Sequence, residues 1–319
     1  MKYEKSVLFR IVIITLVLCT GIAFSEGRMN SIIPSSYSQS NYGPMLAIND
    51  DNDNAYYVKT YTIFGIEVTV ITQHGKDKEG ILYMLLGRAT SILCYNNSLY
   101  CVLHDNYTWR GRLIRLSLSG HRILTLCSEK TGCGALLGIQ NNTLYFETEY
   151  NIQTLNLDDY NLDIIADKKY YVTTSTNKGI TYFNGFNYIF RPWDSGESNY
   201  TILLPEPFKD NDSTPLVWAC TEECFALFDR GDSTLYLIKD QSIQQTISNV
   251  VCYSIKDGMI NAVVKEHGEC ALLRVDLVHC DNDTPSYHSL PLSRDYVVFA
   301  DTIAYFNEHG SLCLYTLPQ

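Results

Sequence analysis

Basic residues are scarce in this chain. It carries 24 Lys and Arg against 35 Asp and Glu, a net charge of −11. Nucleic-acid binding needs a basic patch to neutralise phosphates, so this balance disfavours it. Glycine shows no period of three and no heptad runs along the sequence, which excludes collagen-like and coiled-coil chains. No sustained helical period occurs after residue 30. No GxSxG, HExxH, P-loop or GxGxxG motif is present, and no CxxC pair or matching His spacing marks a metal site. No cofactor is implied. Disorder is excluded by what is abundant: 46% hydrophobic and 12% aromatic residues give ample surface to bury.

The first 25 residues differ from the rest. Lys2, Lys5 and Arg10 precede an apolar run from Ile11 to Phe24, and Ala23-Phe24-Ser25 places small residues at positions −3 and −1 of a cleavage site. This order predicts a secretory signal peptide over residues 1–25. Fourteen apolar residues at ~1.5 Å rise cover ~21 Å, short of the ~30 Å hydrocarbon core, so an uncleaved membrane anchor is the weaker alternative. The expected location is secreted or extracytoplasmic, with membrane contact only through an uncleaved leader. Ten of the eleven cysteines remain after cleavage, an even number that suits disulfides in an exported chain.

The remainder repeats. A turn followed by an aliphatic-aromatic pair recurs as Asn97-Ser98-Leu99-Tyr100 and Asn142-Thr143-Leu144-Tyr145. Looser copies are Tyr56-Tyr57, Thr181-Tyr182, Cys224-Phe225, Asn261-Ala262 and Ala304-Tyr305, at steps of 37 to 45 residues. Gly65, Gly111, Gly196, Gly231, Gly268 and Gly310 keep the same period. Short alternating runs rich in β-branched and aromatic residues make each unit a set of strands rather than helices. A period near 42 suits a four-stranded propeller blade, and seven copies fill the 294 residues left after the leader. The prediction is an all-β chain: a single β-propeller over 43–319, with seven four-stranded blades. Residues 26–42, through the strand Met29–Pro34, are expected to pair with the last blade and close the ring. In the best copy the strands fall at Ser91–Tyr95, Leu99–His104, Leu113–Leu118 and Arg122–Cys127.

The turn, Leu-Tyr, Gly pattern with a third strand reading Arg112-Leu113-Ile114-Arg115-Leu116-Ser117-Leu118-Ser119-Gly120 resembles a known family. It is similar to bacterial exported propellers of unknown function, related in turn to low-density-lipoprotein-receptor-type propeller repeats. The likeness spans roughly residues 43 to 317 and is strongest at 91–127 and 132–166. The receptor-type Tyr-Trp-Thr-Asp signature is absent, and that class usually has six blades. The resemblance implies a binding module and supplies no catalytic residues.

Three local cysteine pairs are disulfide candidates. Counting outward from the Asn97-Ser98 turn sets Cys94 opposite Cys101. Cys220 and Cys224 flank Thr221-Glu222-Glu223, and Cys127 and Cys133 bracket the link between the second and third blades. The alternative is buried thiols packing as small hydrophobes.

Glu266-His267-Gly268 recurs one repeat later as Glu308-His309-Gly310, in the turn between second and third strands. The same class of turn is expected to carry Tyr107 and Trp109 in the second blade and Trp193 in the fourth. Imidazoles and carboxylates on neighbouring turns suit a cation or a proton, and exposed aromatics suit sugar faces or a partner's pocket. The plain alternatives are solvated turn tips and indoles covering their own blade edges. Asp50-Asp51-Asn52-Asp53-Asn54 fails as a calcium loop, because Ala55 and Tyr61 replace the required Gly and Glu. The expected function is an exported, non-catalytic module that binds a protein or glycan through one face, at Tyr107, Trp109, Trp193, Glu266, His267, Glu308 and His309. The alternative is an extracellular glycosidase or lyase with carboxylates at the central channel.

Overall fold

The computed structural model describes residues 46–49, 54–75, 79–105, 110–119, 122–127, 132–169, 173–176, 178–193, 196–209, 214–256, 258–277, 286–291, 296–299, 302–306 and 312–316. They form seven antiparallel sheets, each built from strands consecutive in the chain. The first holds β1 (Leu46–Asn49), β2 (Asn54–Ile63), β3 (Ile66–His74) and β4 (Glu79–Leu86). The second holds β5 (Arg88–Tyr95), β6 (Ser98–His104), β7 (Gly111–Ser117) and β8 (Ile123–Cys127). The third holds β9 (Cys133–Gln140), β10 (Thr143–Thr148), β11 (Asn151–Asn156) and β12 (Leu162–Asp167). The fourth holds β13 (Thr174–Ser175), β14 (Gly179–Phe183), β15 (Tyr188–Pro192) and β16 (Tyr200–Ile202), followed by the one-turn helix α1 (Glu206–Lys209). The fifth holds β17 (Leu216–Ala219), β18 (Cys224–Asp229), β19 (Thr234–Lys239) and β20 (Ser242–Ile247). The sixth holds β21 (Val250–Lys256), β22 (Met259–Glu266), β23 (Glu269–Asp276) and β24 (Ser286–Leu290). The seventh holds β25 (Tyr296–Phe299), β26 (Thr302–Phe306) and β27 (Leu312–Thr316).

The first strands lie nearest the axis. β1 lies beside β5, β5 beside β9, β9 beside β13, β13 beside β17 and β21 beside β25, and β25 returns to β1. Apolar cores fill the gaps between successive sheets. Ile92, Leu99 and Cys101 of the second sheet pack with Tyr56, Val58 and Ile71 of the first. A larger core runs through the fourth, fifth and sixth sheets, around Phe190, Phe225, Leu237 and Val264. The middle strands are therefore buried on both faces, and β6 reads as an unbroken apolar run apart from its ends. The outer strand β8 faces water along most of its length. Hydrogen bonds also join neighbouring inner strands: Thr90 Oγ1 donates to the Gly134 carbonyl at 3.0 Å and the Leu136 amide to Ser91 Oγ at 3.1 Å.

Six blades are four-stranded. The expectation of seven such blades is corrected, because the seventh sheet has three strands among the described residues. The strand proposed to complete it, Met29–Pro34, and the whole segment 26–42 lie outside the described residues, as does the leader 1–25.

Two-residue turns set the registers. Asn96 and Asn97 take φ of 45° and 53°, and Asn141 and Asn142 take 48° and 57°. Such paired left-handed residues match the twist of antiparallel strands. The first turn closes on Tyr95 opposite Ser98, which sets Cys94 opposite Leu99 and Cys101 opposite Ile92. The expected Cys94–Cys101 facing pair is thereby corrected. The two thiols are diagonal neighbours, about 7–8 Å apart at the backbone, and no disulfide joins them. Cys220 does face Cys224, but the Cys220 amide donates to the Cys224 carbonyl at 3.1 Å, and this is the more widely spaced kind of pair. Cys127 closes β8 opposite Leu113, and Cys133 opens β9 opposite Thr148; both are buried in one apolar core. All three disulfide expectations are corrected: no disulfide is present among the described cysteines.

Candidate functional site around Trp193

Alternating strand direction gives the ring two unlike ends. Turns joining first to second and third to fourth strands share the lower end. Turns joining second to third strands, and the links between sheets, share the upper end. Glu266 and His267 lie at the upper end, in a two-residue turn where His267 and Gly268 have φ of 50° and 90°. Trp193 does not join them. The second and third strands of its blade meet at Asn184–Asn187, so Trp193, which follows β15, sits at the lower end. The expected single face is corrected on these residues. Tyr107, Trp109, Glu308 and His309 lie outside the described residues.

Trp193 bridges two blades. Its indole Nε1 donates to the Thr176 carbonyl at 2.8 Å, and its amide donates to the Lys178 carbonyl at 3.1 Å. The ring meets Tyr145 of the third blade edge to face, with centroids 4.7 Å apart. It also lies over Gly138, where a Cβ would stand 3.5 Å from the indole. A tryptophan buried on one side and fixed by its N–H makes a rigid wall.

That wall borders a groove of about 670 Å³ between the third, fourth and fifth blades. First-to-second-strand turns supply Gln140 and Asn141, Lys178, and Cys220 to Glu222. The link between β15 and β16 adds Glu197, and Tyr200 opens β16. Phe190 and Tyr200 stack behind the groove with centroids 4.8 Å apart. Burial raises the Tyr200 hydroxyl pKa, helped by negative charge at Cys220, Glu222 and Glu197. The phenol therefore stays protonated and can donate a hydrogen bond. Burial, with Cys224 beside it, pushes the Cys220 thiol up to about 11. It is not an activated nucleophile, and among the described residues no histidine lines the groove. Exposed Lys178, Glu197 and Glu222 offer charges of both signs, and Gln140 and Asn141 offer amides. This set suits reversible recognition of a polar ligand against aromatic walls.

Apart from Trp193, the groove residues carry no motif. A signal was nevertheless present: Asn141, Lys178 and Thr221 stand about one repeat apart at the same turn of successive blades.

No protein-family model matches the chain, and no curated protein matches it by sequence. Solved structures match its fold. A chain in the structure titled as the mitotic checkpoint complex has 9% identity and a TM-score of 0.60, covering 91% of this chain and 94% of that one. The β-propeller domain of the Trilobed protease from Pyrococcus furiosus, described as having an open velcro topology, has 11% identity and a TM-score of 0.55, covering 85% and 91%. A chain from a Saccharomyces cerevisiae structure of Dbp5 bound to Nup159 and Gle1 has 14% identity and a TM-score of 0.52, covering 89% and 92%. These likenesses define the class: the chain is a β-propeller.

Proposed function

We propose that this chain is an exported, non-catalytic binding module, of the exported-propeller kind that its strand pattern resembles. It takes a protein or glycan ligand at the lower end of the ring. The observation that carries this is the groove at Trp193, where an indole fixed between two blades stands beside amides, carboxylates and a lysine from three blades. Two of the similar chains come from structures titled as protein assemblies, which supports a protein ligand. The seven inner strands contain no Asp or Glu, which counts against carboxylates on the channel wall. A second reading, a glycosidase or lyase, draws on one fact: Glu197 and Glu222 share the groove and both act on Tyr200.

Glycan arrays and affinity capture with the purified chain, followed by hydrogen exchange of the complex, test the proposal. Ligand-induced protection is expected at 140–141, 178 and 220–222. Protection confined to the upper end contradicts it, and turnover of a captured glycan favours the second reading. Export is tested by sequencing the N-terminus of secreted material, which should start at Glu26.

A further inference from the structure

The chemistry of the Trp193 groove narrows what can enter it. Its turns have spent their main chain on themselves. The Trp193 amide donates to the Lys178 carbonyl at 3.1 Å, and the Cys220 and Thr221 amides donate to the Cys224 carbonyl at 3.1 and 3.2 Å. The Lys178 amide donates to Thr176 Oγ1 at 3.2 Å. An extended peptide added to a sheet is held by main-chain hydrogen bonds along a strand edge. These four amides are already committed and give such a peptide nothing.

The turns offer side chains instead. The Trp193 indole N–H is taken by the Thr176 carbonyl, so the ring meets a ligand through its π surface and not through a donor. Tyr145 and Gly138 pack against the indole and fix it. An immobile aromatic plane suits the apolar C–H face of a sugar ring, because stacking on it costs no rotamer freedom. Around the plane stand groups that match hydroxyls. A sugar hydroxyl both donates and accepts. The Gln140 and Asn141 amides do both, the Glu197 and Glu222 carboxylates accept, and Lys178 and the protonated Tyr200 phenol donate. Neighbouring hydroxyls on one ring can reach both oxygens of a carboxylate or both ends of an amide. Two carboxylates against one ammonium, on a chain of net charge −11, disfavour an acidic sugar. The groove volume of about 670 Å³ lies within the range of small-ligand clefts, about 300–1,000 Å³.

We propose that the groove takes a short neutral oligosaccharide, with one sugar ring stacked on Trp193 and its hydroxyls held by Gln140, Asn141, Glu197 and Glu222. This rests on the groove being the binding site, and it fixes the recognised group as carbohydrate even where a protein carries it.

The test is binding of the full chain to neutral trisaccharides of glucose, mannose, galactose and N-acetylglucosamine, with sialylated and sulfated glycans as acidic counterparts. A neutral trisaccharide should bind and shift the tryptophan emission, and the acidic glycans should not. Trp193→Phe should abolish that shift while Trp109 and Trp218 still emit. Asn141→Gly keeps the left-handed backbone of φ 48°, and Glu222→Gln keeps the shape of an exposed side chain. Each should weaken calorimetric affinity for the bound trisaccharide about tenfold, with an unchanged melt. Absence of neutral binding overturns the proposal. So does tighter binding of the acidic glycans, a shift that survives Trp193→Phe, or undiminished affinity in both turn variants. Periodate, which cleaves the vicinal diols of sugars and leaves the peptide chain intact, tells this failure from failure of the groove itself. A captured protein that still protects 140–141, 178 and 220–222 from hydrogen exchange after periodate treatment overturns the carbohydrate inference and leaves the groove standing as a binding site. If no ligand protects those turns, both fall.

Discussion

Phe64 and the pair Glu147–Lys168 show how single residues spend stability in this protein. Phe64 stands at φ 50° and is 89% exposed. Replacing it by Asn removes left-handed strain of about 1 kcal/mol, so the melting temperature should rise by roughly 2 °C. A fall would mean that the phenyl group packs against something in solution. Lys168 Nζ and Glu147 Oε2 lie 3.2 Å apart, with both side chains almost fully buried. Burial raises the Glu147 carboxyl pKa, and the Lys168 ammonium opposes that shift. Lys168→Met should cost about 3–5 kcal/mol, because it strands the carboxyl, and adding Glu147→Leu should recover most of the loss. Denaturant titrations measure both, and equal stability of the single and double variants would contradict the account.

Strands were legible at the scale of the element; registers and turn classes were not. The strands of the second blade match their sequence-derived positions within three residues, because a turn, an apolar run and a polar outer strand recur there. A turn lying one residue earlier than counted, at Asn96-Asn97 rather than Asn97-Ser98, moved Cys94 from Cys101 to Leu99. Trp193 was misplaced for a related reason. The true hairpin tip, Asn184-Gly185-Phe186-Asn187, precedes it, and both segments read as turns. The groove was not legible as a site, since it forms only where turns 37 and 43 residues apart converge. Periodic glycines were visible, but their physical roles differ. At Gly65 a Cβ would meet open space, whereas at Gly111 it would lie 1.8 Å from the Cys133 carbonyl oxygen. Gly111→Ala should therefore force β7 and β9 apart, cost about 3 kcal/mol or more, and lower the melting temperature by several degrees. A neutral Gly111→Ala would show that the two blades meet differently.

Cores shared between neighbouring sheets run from the first sheet to the seventh, and burial in them shifts several titrations in the same direction. Burial pushes the Cys101 thiol up to about 12 and the Cys220 thiol up to about 11, and it also raises Cys252, Tyr188 and Tyr253. An unfolded cysteine releases its proton near 9 while the folded one holds it, so unfolding consumes base between those values. Stability is thus fully present below pH 9 and falls as pH rises towards 11 and 12. Melting curves across that range should show it, and a flat profile would mean that these thiols reach solvent.

The central claim is that the lower end of this propeller binds through the Trp193 groove. Reversing two exposed charges, Lys178→Glu and Glu222→Lys, tests it with little risk to folding, since surface substitutions usually stay within about 0.5 kcal/mol. Capture of the ligand found by array or pull-down is the quantity to measure, alongside the melting temperature. The account predicts an unchanged melt and at least about a tenfold loss of capture in one or both variants. An unchanged melt with undiminished capture in both would contradict it.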